Sequence, residues 1–408
     1  MSRADAQRVA VVGAGLCTPA GTTSSEFWQR VSNGVPSAQP TEVDGLDNWR
    51  RMACRVESIS AEGLMAPHEL RRLDRPHLLA ISAADDALDA VAGRLPDLDR
   101  CALQVGTGYG AGRFSETQQR ALMTSGLRAV SPIAIPLTMP NSIAAHLSIR
   151  YHFRGPALTQ ATACASGANA IGEAVMMLQA DRADLIVAGG VDSLLFAAPL
   201  AGFDRAGALT RHDADPFASR PFDVKRDGFV MGEGAGFVVL VRTTDAIEAG
   251  LEVLGEVLGY AANSDAVHLV APDRDGHAAS RCMADALRHA GLHPSDIGHV
   301  NAHGTSTVLN DRAEAIAIGR VFGSSSPPVT ATKGVTGHLI GGSGAVETIA
   351  TLLACRERVV PPVAGLTELD GEIDLDVVHG DQRSVKLSTA VSNSFAFGGH
   401  NASLVVSA

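Results

Sequence analysis

The stretch that most constrains the fold is Thr159–Glu173, where a short apolar segment turns directly into a run of helix formers. Cys164 lies at this predicted change from strand to helix. At such a turn the free N–H groups and the dipole of the helix point at the side chain and stabilise an anion. We therefore expect Cys164 to be exposed, held in strained backbone and biased towards the nucleophilic thiolate. On this segment alone, a buried and inert cysteine remains the alternative.

Composition narrows the classes of function. The 408 residues are 46% hydrophobic and 19% charged, which supplies enough apolar material for a large α/β core. The formal net charge of -11 argues against nucleic acid and against a membrane surface as partners. The N-terminal segment is polar, and no apolar run reaches the length of a membrane span. We therefore expect a cytoplasmic protein.

The cysteines and the first glycines do not predict a metal or a nucleotide site. Six cysteines occur without CxxC spacing, which fits a reducing compartment and predicts neither a disulfide framework nor a zinc site. Gly13 and Gly15 follow a predicted first strand, but Thr18 stands where a dinucleotide-binding loop would have its third glycine. We expect no metal and no nucleotide cofactor.

The second half of the chain repeats the order of predicted strands and helices found in the first half. Thr162 and Cys164 precede a predicted helix, just as Thr332 and Lys333 precede a small-residue helix predicted over 339–354. Gly-rich bends, predicted at 232–236 and 398–399, each come before an apolar strand. We predict two diverged α/β halves, residues 1–245 and 246–408. Packed face to face, the halves would bring their special loops to one place.

Four motifs lie at the ends of predicted elements. A single histidine is usually structural, but His303 and His338 each follow a strand and are flanked by Gly and Thr. The motifs are Cys164, Asn301-Ala-His-Gly-Thr-Ser-Thr307, Lys333-Gly-Val-Thr-Gly-His338 and Asn393-Ser-Phe-Ala-Phe-Gly-Gly399. In this order and spacing they resemble the elongating (type II) β-ketoacyl-acyl-carrier-protein synthases, which include stand-alone polyketide ketosynthases. The resemblance covers nearly the whole chain.

The resemblance implies a fold and a reaction. The fold is the thiolase fold, in which two βαβαβ halves form five α-β-α-β-α layers. The reaction is a decarboxylative Claisen condensation of an acyl thioester with malonyl-acyl-carrier protein. Cys164 would take the acyl chain as a thioester, while His303 and His338 would bind the malonyl thioester carbonyl and stabilise the enolate. Lys333 would support the two histidines electrostatically.

The resemblance also implies the surroundings of these residues. The backbone N–H groups of Cys164 and Phe397 would form the oxyanion hole, and Phe397 would gate it. The remaining predicted contacts are Thr305 and Thr307 for pantetheine, Tyr109 and Phe203 for the acyl pocket, and Arg71 and Arg72 for carrier docking. The partners would be an acyl carrier protein and a second subunit, either an identical copy or a chain-length-factor-like protein. No cofactor is expected beyond the phosphopantetheine that carries the substrates.

Two departures from the family's pattern bear on the substrate. Ala396 stands where the gate loop usually has glycine, and a Cβ there restricts positive φ. Tyr109 stands where relatives usually have a smaller or aliphatic residue, so it would shorten the acyl pocket or offer a hydroxyl group. Both features favour a polyketide or other specialised-metabolite ketosynthase over fatty-acid elongation.

Two other functions are alternatives to decarboxylative condensation. A thiolase, which condenses without decarboxylation, needs a second cysteine as an acid near the C-terminus, and the last cysteine, Cys355, lies inside a predicted helix. A non-catalytic chain-length partner subunit lacks the nucleophile, and this chain has Cys164.

Overall fold

The computed structural model describes residues 8–43, 45–46, 49–59, 73–323, 326–386 and 388–408, so the predicted docking residues Arg71 and Arg72 lie outside it. The strands are β1 (Val9–Cys17), β2 (Gln39–Glu42), β3 (Arg50–Cys54), β4 (Cys101–Gly106), β5 (Ala157–Gln160), β6 (Leu185–Ser193), β7 (Met231–Arg242), β8 (Gly255–Ser264), β9 (His299–Asn301), β10 (Val329–Thr330), β11 (Val359–Val360), β12 (Arg383–Ser384), β13 (Thr389–Ala396) and β14 (His400–Ser407). The helices are α1 (Ser24–Ser32), α2 (Arg75–Asp89), α3 (Gly112–Ser125), α4 (Ala134–Thr138), α5 (Ser142–Tyr151), α6 (Ser166–Gln179), α7 (Ala197–Arg205), α8 (Thr243–Glu248), α9 (His277–Ala290), α10 (Val308–Phe322), α11 (Lys333–Thr336) and α12 (Ser343–Glu357).

The main sheet is built from the same pattern twice. Its strands follow the order β10-β9-β13-β14-β8-β1-β7-β6-β4-β5, with β3 also pairing with β7. In the first half, β5, β4 and β6 are parallel and then β6, β7 and β1 are antiparallel. The second half repeats this with β10, β9 and β13 parallel and β13, β14 and β8 antiparallel. The halves join where β1 pairs with β8.

Helices cover both faces of each half of the sheet. On the outer faces, α2 and α5 pack on the first half, and α9 packs on the second half with α10 beside it. Helices α6 and α12 lie between the halves and contact each other and strands of both. Their small side chains share one buried apolar cluster with β1, β6, β7, β8, β13 and β14. The predicted five-layer α/β arrangement is confirmed.

Two local expectations were wrong. The glycines at 232–236 lie inside β7 rather than in a bend, because their missing side chains let α12 approach: a Cβ on Gly236 would lie 3.0 Å from Val346 Cγ2. The helix predicted from residue 339 begins at Ser343 instead. A 3₁₀ turn, Ile340–Gly342, precedes it.

The boundary predicted between residues 245 and 246 falls within α8. Because β1 of the first half pairs with β8 of the second, the two halves share one sheet, and the boundary stays a prediction. Among the described residues, no helix combines the length and the apolar character needed to cross a bilayer.

The contact between the halves is tightest at Gly172 on α6. A Cβ at this position would overlap the aromatic ring of Tyr260 on β8. We predict that Gly172→Ala lowers the thermal unfolding midpoint, because overpacking a filled core costs about 1 to 3 kcal/mol. Gly202→Ala is the matched control, since Gly202 is also helical and has nothing within 4 Å of its would-be Cβ. The control should be neutral or slightly stabilising, and equal midpoints for both variants would contradict the packing described here.

Candidate active site

The predicted site residues converge in one cavity. Cys164 Sγ and ring nitrogens of His303 and His338 all lie within 4.8 Å of one another. The cavity has a volume of about 400 Å³. Phe203, Phe397, Thr305 and Thr307 also line it, as predicted from the sequence. Segments 1–245 and 246–408 thus each supply part of a single site.

Cys164 lies in a short 3₁₀ turn, Ala163–Ala165, directly before α6. The strain predicted for this turn lies on Ala163, whose φ is +49°. Ser166 Oγ braces the turn, since it donates to the Ala163 carbonyl at 2.7 Å and accepts from the Thr162 N–H at 2.9 Å. Cys164 itself is 8% exposed, so the expectation of an exposed cysteine was wrong. It lies in one apolar cluster with side chains of both segments, among them Phe229 and Ile340.

The surroundings of the Cys164 sulfur favour the neutral thiol. Burial raises the pKa of Cys164 to about 12, although the charge of Lys333 and the backbone N–H groups of Phe397 and Cys164 lower it. Desolvation therefore outweighs the stabilisation expected from the helix start, and the expectation of a resting thiolate was wrong. The same two N–H groups point at the sulfur, where the predicted oxyanion hole would lie.

His338 lies closest to the sulfur, with Nε2 3.0 Å from Cys164 Sγ. Its backbone is fixed on β7 by two hydrogen bonds of 2.8 Å, from its N–H to the Val230 carbonyl and from the Gly232 N–H to its own carbonyl. Its Nδ1 lies 2.9 Å from Ser343 Oγ. Ser343 Oγ already accepts the Leu339 N–H at 2.9 Å, so its hydroxyl proton is free to be donated to Nδ1. That arrangement places the ring proton of His338 on Nε2, facing the cavity.

Lys333 fixes the tautomer of His303, as Ser343 fixes that of His338. The Lys333 side chain is 1% exposed, and its ammonium has three protons for three neighbours. Its Nζ lies 2.6 Å from the His303 carbonyl, 3.1 Å from His303 Nδ1 and 2.5 Å from Glu347 Oε1. Because Nδ1 accepts from the ammonium, the ring proton of His303 also lies on Nε2.

Both imidazoles are neutral at physiological pH. Burial lowers the pKa values of His303 and His338 well below the usual range, and the charge of Lys333 lowers them further. The two rings meet edge to face, with centroids 5.4 Å apart. Two neutral N–H donors beside a buried cation can bind a developing oxyanion without transferring a proton to it.

Two buried acids were missed by the sequence reasoning. Glu314 on α10 accepts the backbone N–H groups of His303 at 2.7 Å and Gly304 at 2.8 Å, which fixes the loop that carries His303. Glu347 on α12 is the counter-ion of Lys333. Burial raises the pKa of each carboxyl to about 7. The signal in the sequence was an acidic residue among small and apolar helix positions.

Phe203, Phe229 and Phe397 form an aromatic wall along the cavity. Phe229 meets the His338 ring edge to face at 5.2 Å between centroids. Phe203 packs on Phe229 at 5.5 Å and on the predicted gate residue Phe397 at 6.2 Å. Thr305 and Thr307 lie at the mouth, with their hydroxyl oxygens 2.8 Å apart. The wall lowers the access of water to a thioester on Cys164.

Two predictions that bear on the substrate concern Tyr109 and Ala396. Tyr109 does not line the cavity in the single chain: it is 50% exposed, and its ring packs edge to face on Phe196 at 5.9 Å. Its role in the acyl pocket stays a prediction. Ala396 has φ -123° and ψ 160°, an extended conformation that an alanine adopts without strain.

The geometry of Cys164, His303 and His338 would also suit a metal ion. The ammonium of Lys333 lies 3.1 Å from His303 Nδ1, and its positive charge disfavours a divalent cation beside it. The expectation that the site holds no metal stays a prediction.

For the reaction that the resemblance implies, we predict that Lys333→Met lowers the rate of malonyl decarboxylation at least about tenfold, because His303 loses the donor that fixes its tautomer. With the positive charge removed, the pKa of His303 rises, so the ring becomes an imidazolium at higher pH than in the wild type. Because an imidazolium can protonate the enolate before condensation, the acid limb of the pH profile of condensed product moves to higher pH.

Lys225→Met, which removes a surface lysine, is the control. Circular dichroism checks that both variants are folded. An unshifted acid limb in folded Lys333→Met would contradict the assigned hydrogen bond between Lys333 and His303.

The sequence was compared with protein families and curated proteins. The family models described as the N-terminal and C-terminal domains of β-ketoacyl synthase match residues 6–246 and 254–367. The 3-oxoacyl-[acyl-carrier-protein] synthase 2 of Synechocystis sp. is 39% identical over 410 residues, which cover 99% of both chains. The enzyme of the same name from Rhizobium meliloti is 39% identical over 416 residues, which cover 98% of both chains.

Solved structures with the same architecture cover nearly the whole chain. A β-ketoacyl synthase from Burkholderia phymatum superimposes with a TM-score of 0.91 at 31% identity and covers 98% of this chain and 99% of its own. The ishigamide ketosynthase/chain length factor gives a TM-score of 0.90 at 30% identity, with 98% of each chain covered. A type II polyketide ketosynthase, bound to a hexaketide and its acyl carrier protein, gives a TM-score of 0.89 at 27% identity and covers 98% of this chain and 99% of its own.

Proposed function

Because the chain belongs to the β-ketoacyl synthase family, we propose that it condenses an acyl group held on Cys164 with a malonyl unit on an acyl carrier protein, releasing CO₂. The enzyme is an acyltransferase of the 3-oxoacyl-[acyl-carrier-protein] synthase type. The observation that carries the mechanism is a buried thiol with ring nitrogens of two neutral imidazoles within 4.8 Å.

The first half-reaction is a thioester exchange. Cys164 Sγ attacks the carbonyl carbon of the incoming acyl thioester, and the pantetheine sulfur leaves as the thiol with the proton that Cys164 gives up. The oxyanion of the tetrahedral intermediate is held by the N–H groups of Cys164 and Phe397, which point at the sulfur. Burial of Cys164 excludes water, which would otherwise hydrolyse the acyl-enzyme.

The second half-reaction forms the carbon–carbon bond. The Nε2–H groups of His303 and His338 donate to the thioester carbonyl of the malonyl unit, and breaking the bond to its carboxylate gives CO₂ and an enolate. The enolate carbon attacks the acyl carbonyl on Cys164, and the sulfur leaves as a thiolate that takes up one proton from solvent. Atoms and electrons balance without a metal or a redox cofactor, so we expect none.

The proposal for the pathway rests on Tyr109. A tyrosine on the loop after β4 favours short or functionalised acyl chains, which fits polyketide or other specialised-metabolite synthesis better than fatty-acid elongation. Support comes from two of the structural neighbours, one described as a type II polyketide ketosynthase with a hexaketide and the other as a ketosynthase/chain length factor.

The two alternatives find less support in the described residues. A thiolase-type reaction needs a second cysteine as an acid, but Cys355 is buried in α12 and does not line the cavity. A non-catalytic chain-length subunit would not need the nucleophile that Cys164 offers.

The partners follow from the proposed reaction. An acyl carrier protein would deliver both substrates through the mouth at Thr305 and Thr307, and Arg71 and Arg72 remain the proposed docking residues. A second subunit, identical or chain-length-factor-like, would cover apolar side chains that are exposed in the single chain, where Met123 is 87%, Leu127 81% and Ile149 72% exposed. Native mass spectrometry of the chain alone and co-expressed with its genomic neighbours separates homodimer from heterodimer.

Separate substitutions should divide the two half-reactions. Cys164→Gln should abolish acyl transfer but retain CO₂ release from malonyl-carrier protein, since both histidines remain. His303→Ala should reduce CO₂ release, with the loss of one enolate donor costing on the order of 3 kcal/mol. CO₂ release and condensed product are measured in parallel. Full CO₂ release by His303→Ala, or an acyl adduct on another cysteine by mass spectrometry, would rule out these roles.

The lengths of acyl chain that the enzyme accepts test the proposed pathway. If Tyr109 limits the acyl pocket, Tyr109→Ala should accept longer saturated chains than the wild type, because each methylene that a pocket accepts or refuses is worth about 1 to 3 kcal/mol. The assay is a ladder of acyl-carrier thioesters with elongated products read by mass spectrometry, and Tyr151→Ala serves as a tyrosine control on α5. A wild type that takes long and short chains equally would favour fatty-acid elongation instead.

A further inference from the structure

Asp192, near the end of β6, is fully buried and receives four hydrogen bonds from two distant segments. From the loop after β4, Thr107 Oγ1 donates to its Oδ1 at 2.8 Å, the Tyr109 N–H to Oδ1 at 3.1 Å and the Gly108 N–H to Oδ2 at 2.7 Å. From the turn before α12, the Gly341 N–H donates to Oδ2 at 2.7 Å. One carboxylate therefore ties the loop that carries Tyr109 to the turn that follows His338.

The two segments meet in a tight seam at the end of the cavity. Ile340 lines the cavity together with Cys164. Behind it, a Cβ on Gly108 would lie 2.8 Å from Ile340 Cγ2 and 3.1 Å from Asp192 Oδ2. Ile340 has φ +50°, which is unfavourable for a β-branched residue. Space for an acyl chain beyond Ile340 can therefore open only if this seam parts.

We propose that Asp192 is a positioning residue for acyl-chain selection, because its carboxylate holds the Tyr109 loop and the Ile340 turn together across the end of the acyl site. The inference rests on the proposed condensing function and adds a residue that sets which chains the site accepts. Asp192 donates nothing to the substrate and acts through Tyr109 and Ile340. Decarboxylation, which uses His303 and His338, does not need it.

Asp192→Asn is the informative variant because its oxygen can replace only one carboxylate oxygen. With the amide oxygen facing Gly108 and Gly341, both of those N–H donors remain paired. The amide NH₂ then faces Thr107, whose hydroxyl can turn to accept, and Tyr109, whose N–H loses its acceptor. The substitution should therefore release the Tyr109 backbone while leaving the rest of the seam closed.

The test is a double-mutant cycle on chain selectivity. The ratio of kcat/KM for a long to a short saturated acyl-carrier thioester is measured for the wild type, Asp192→Asn, Tyr109→Ala and the double variant, with CO₂ release measured on each. Asp192→Asn should raise the ratio about tenfold, the effect of roughly one accepted methylene, and leave CO₂ release within about twofold. In the Tyr109→Ala background it should add little, because both changes act through the same loop.

Two further variants keep the test decisive. Thr107→Val removes a single donor to Asp192 and should shift the ratio in the same direction by a smaller factor. Ser193→Ala is the matched control, since Ser193 is the next residue on β6 and its buried hydroxyl donates to Glu233 Oε2 at 2.6 Å, away from the seam. Should Asp192→Asn not fold, the ratio measured for Thr107→Val decides.

The outcomes separate the inference from the function on which it rests. An unchanged ratio, equal losses for all chain lengths or fully additive effects with Tyr109→Ala would overturn the role of Asp192 while the wild type still elongates. A wild type that forms no condensed product with any acyl-carrier thioester would overturn the proposed function, and this inference with it.

Discussion

The ammonium group of Lys333 is the interaction on which the rest of the site depends. A buried charge is costly unless it is paired and fully hydrogen-bonded, and Lys333 has its counter-ion in Glu347 and two further acceptors on His303. In return, the charge adds to the effect of burial in keeping both imidazoles neutral, and it fixes the tautomer of His303. The cation thus acts on an enolate through His303, which presents an N–H that does not release its proton early.

The duplicated fold explains why these groups meet. Each half places a helix after a strand in the middle layer, α6 in the first and α12 in the second, and their N-terminal ends face one another. The turn before α6 carries Cys164, while the short helix α11 and the turn that joins it to α12 carry Lys333 and His338. Glycines make the approach possible: a Cβ on Gly167 would lie 2.7 Å from the Gly341 carbonyl oxygen. Cys164 can therefore be brought together with His338 and Lys333 from opposite halves of one sheet.

The sequence allowed two α/β halves to be predicted, because repeated strand-to-helix turns are local patterns. The five layers and the roles of the central residues were predicted from the family resemblance. The state of Cys164 was not predictable locally, since its raised pKa comes from burial among side chains that only the folded chain brings together, such as Phe229 and Ile340. Glu314 and Asp192 were missed for a related reason: their partners are mostly backbone N–H groups, which every residue type except proline can supply and which leave no mark in the sequence. The glycines of β7 were read as a bend because their role is to admit α12, a contact that only the packed layers define.

The central claim is that His303 and His338 are neutral donors with their protons on Nε2. Nitrogen-15 NMR of the enzyme labelled at histidine measures this directly, with His303→Ala and His338→Ala used to assign the two signals. The account predicts that both rings stay neutral, as the Nε2–H tautomer, from pH 8 down to about pH 6, below the usual pKa of about 6.5. An imidazolium signal from either residue at pH 7, or a proton on Nδ1 of His303, would contradict it.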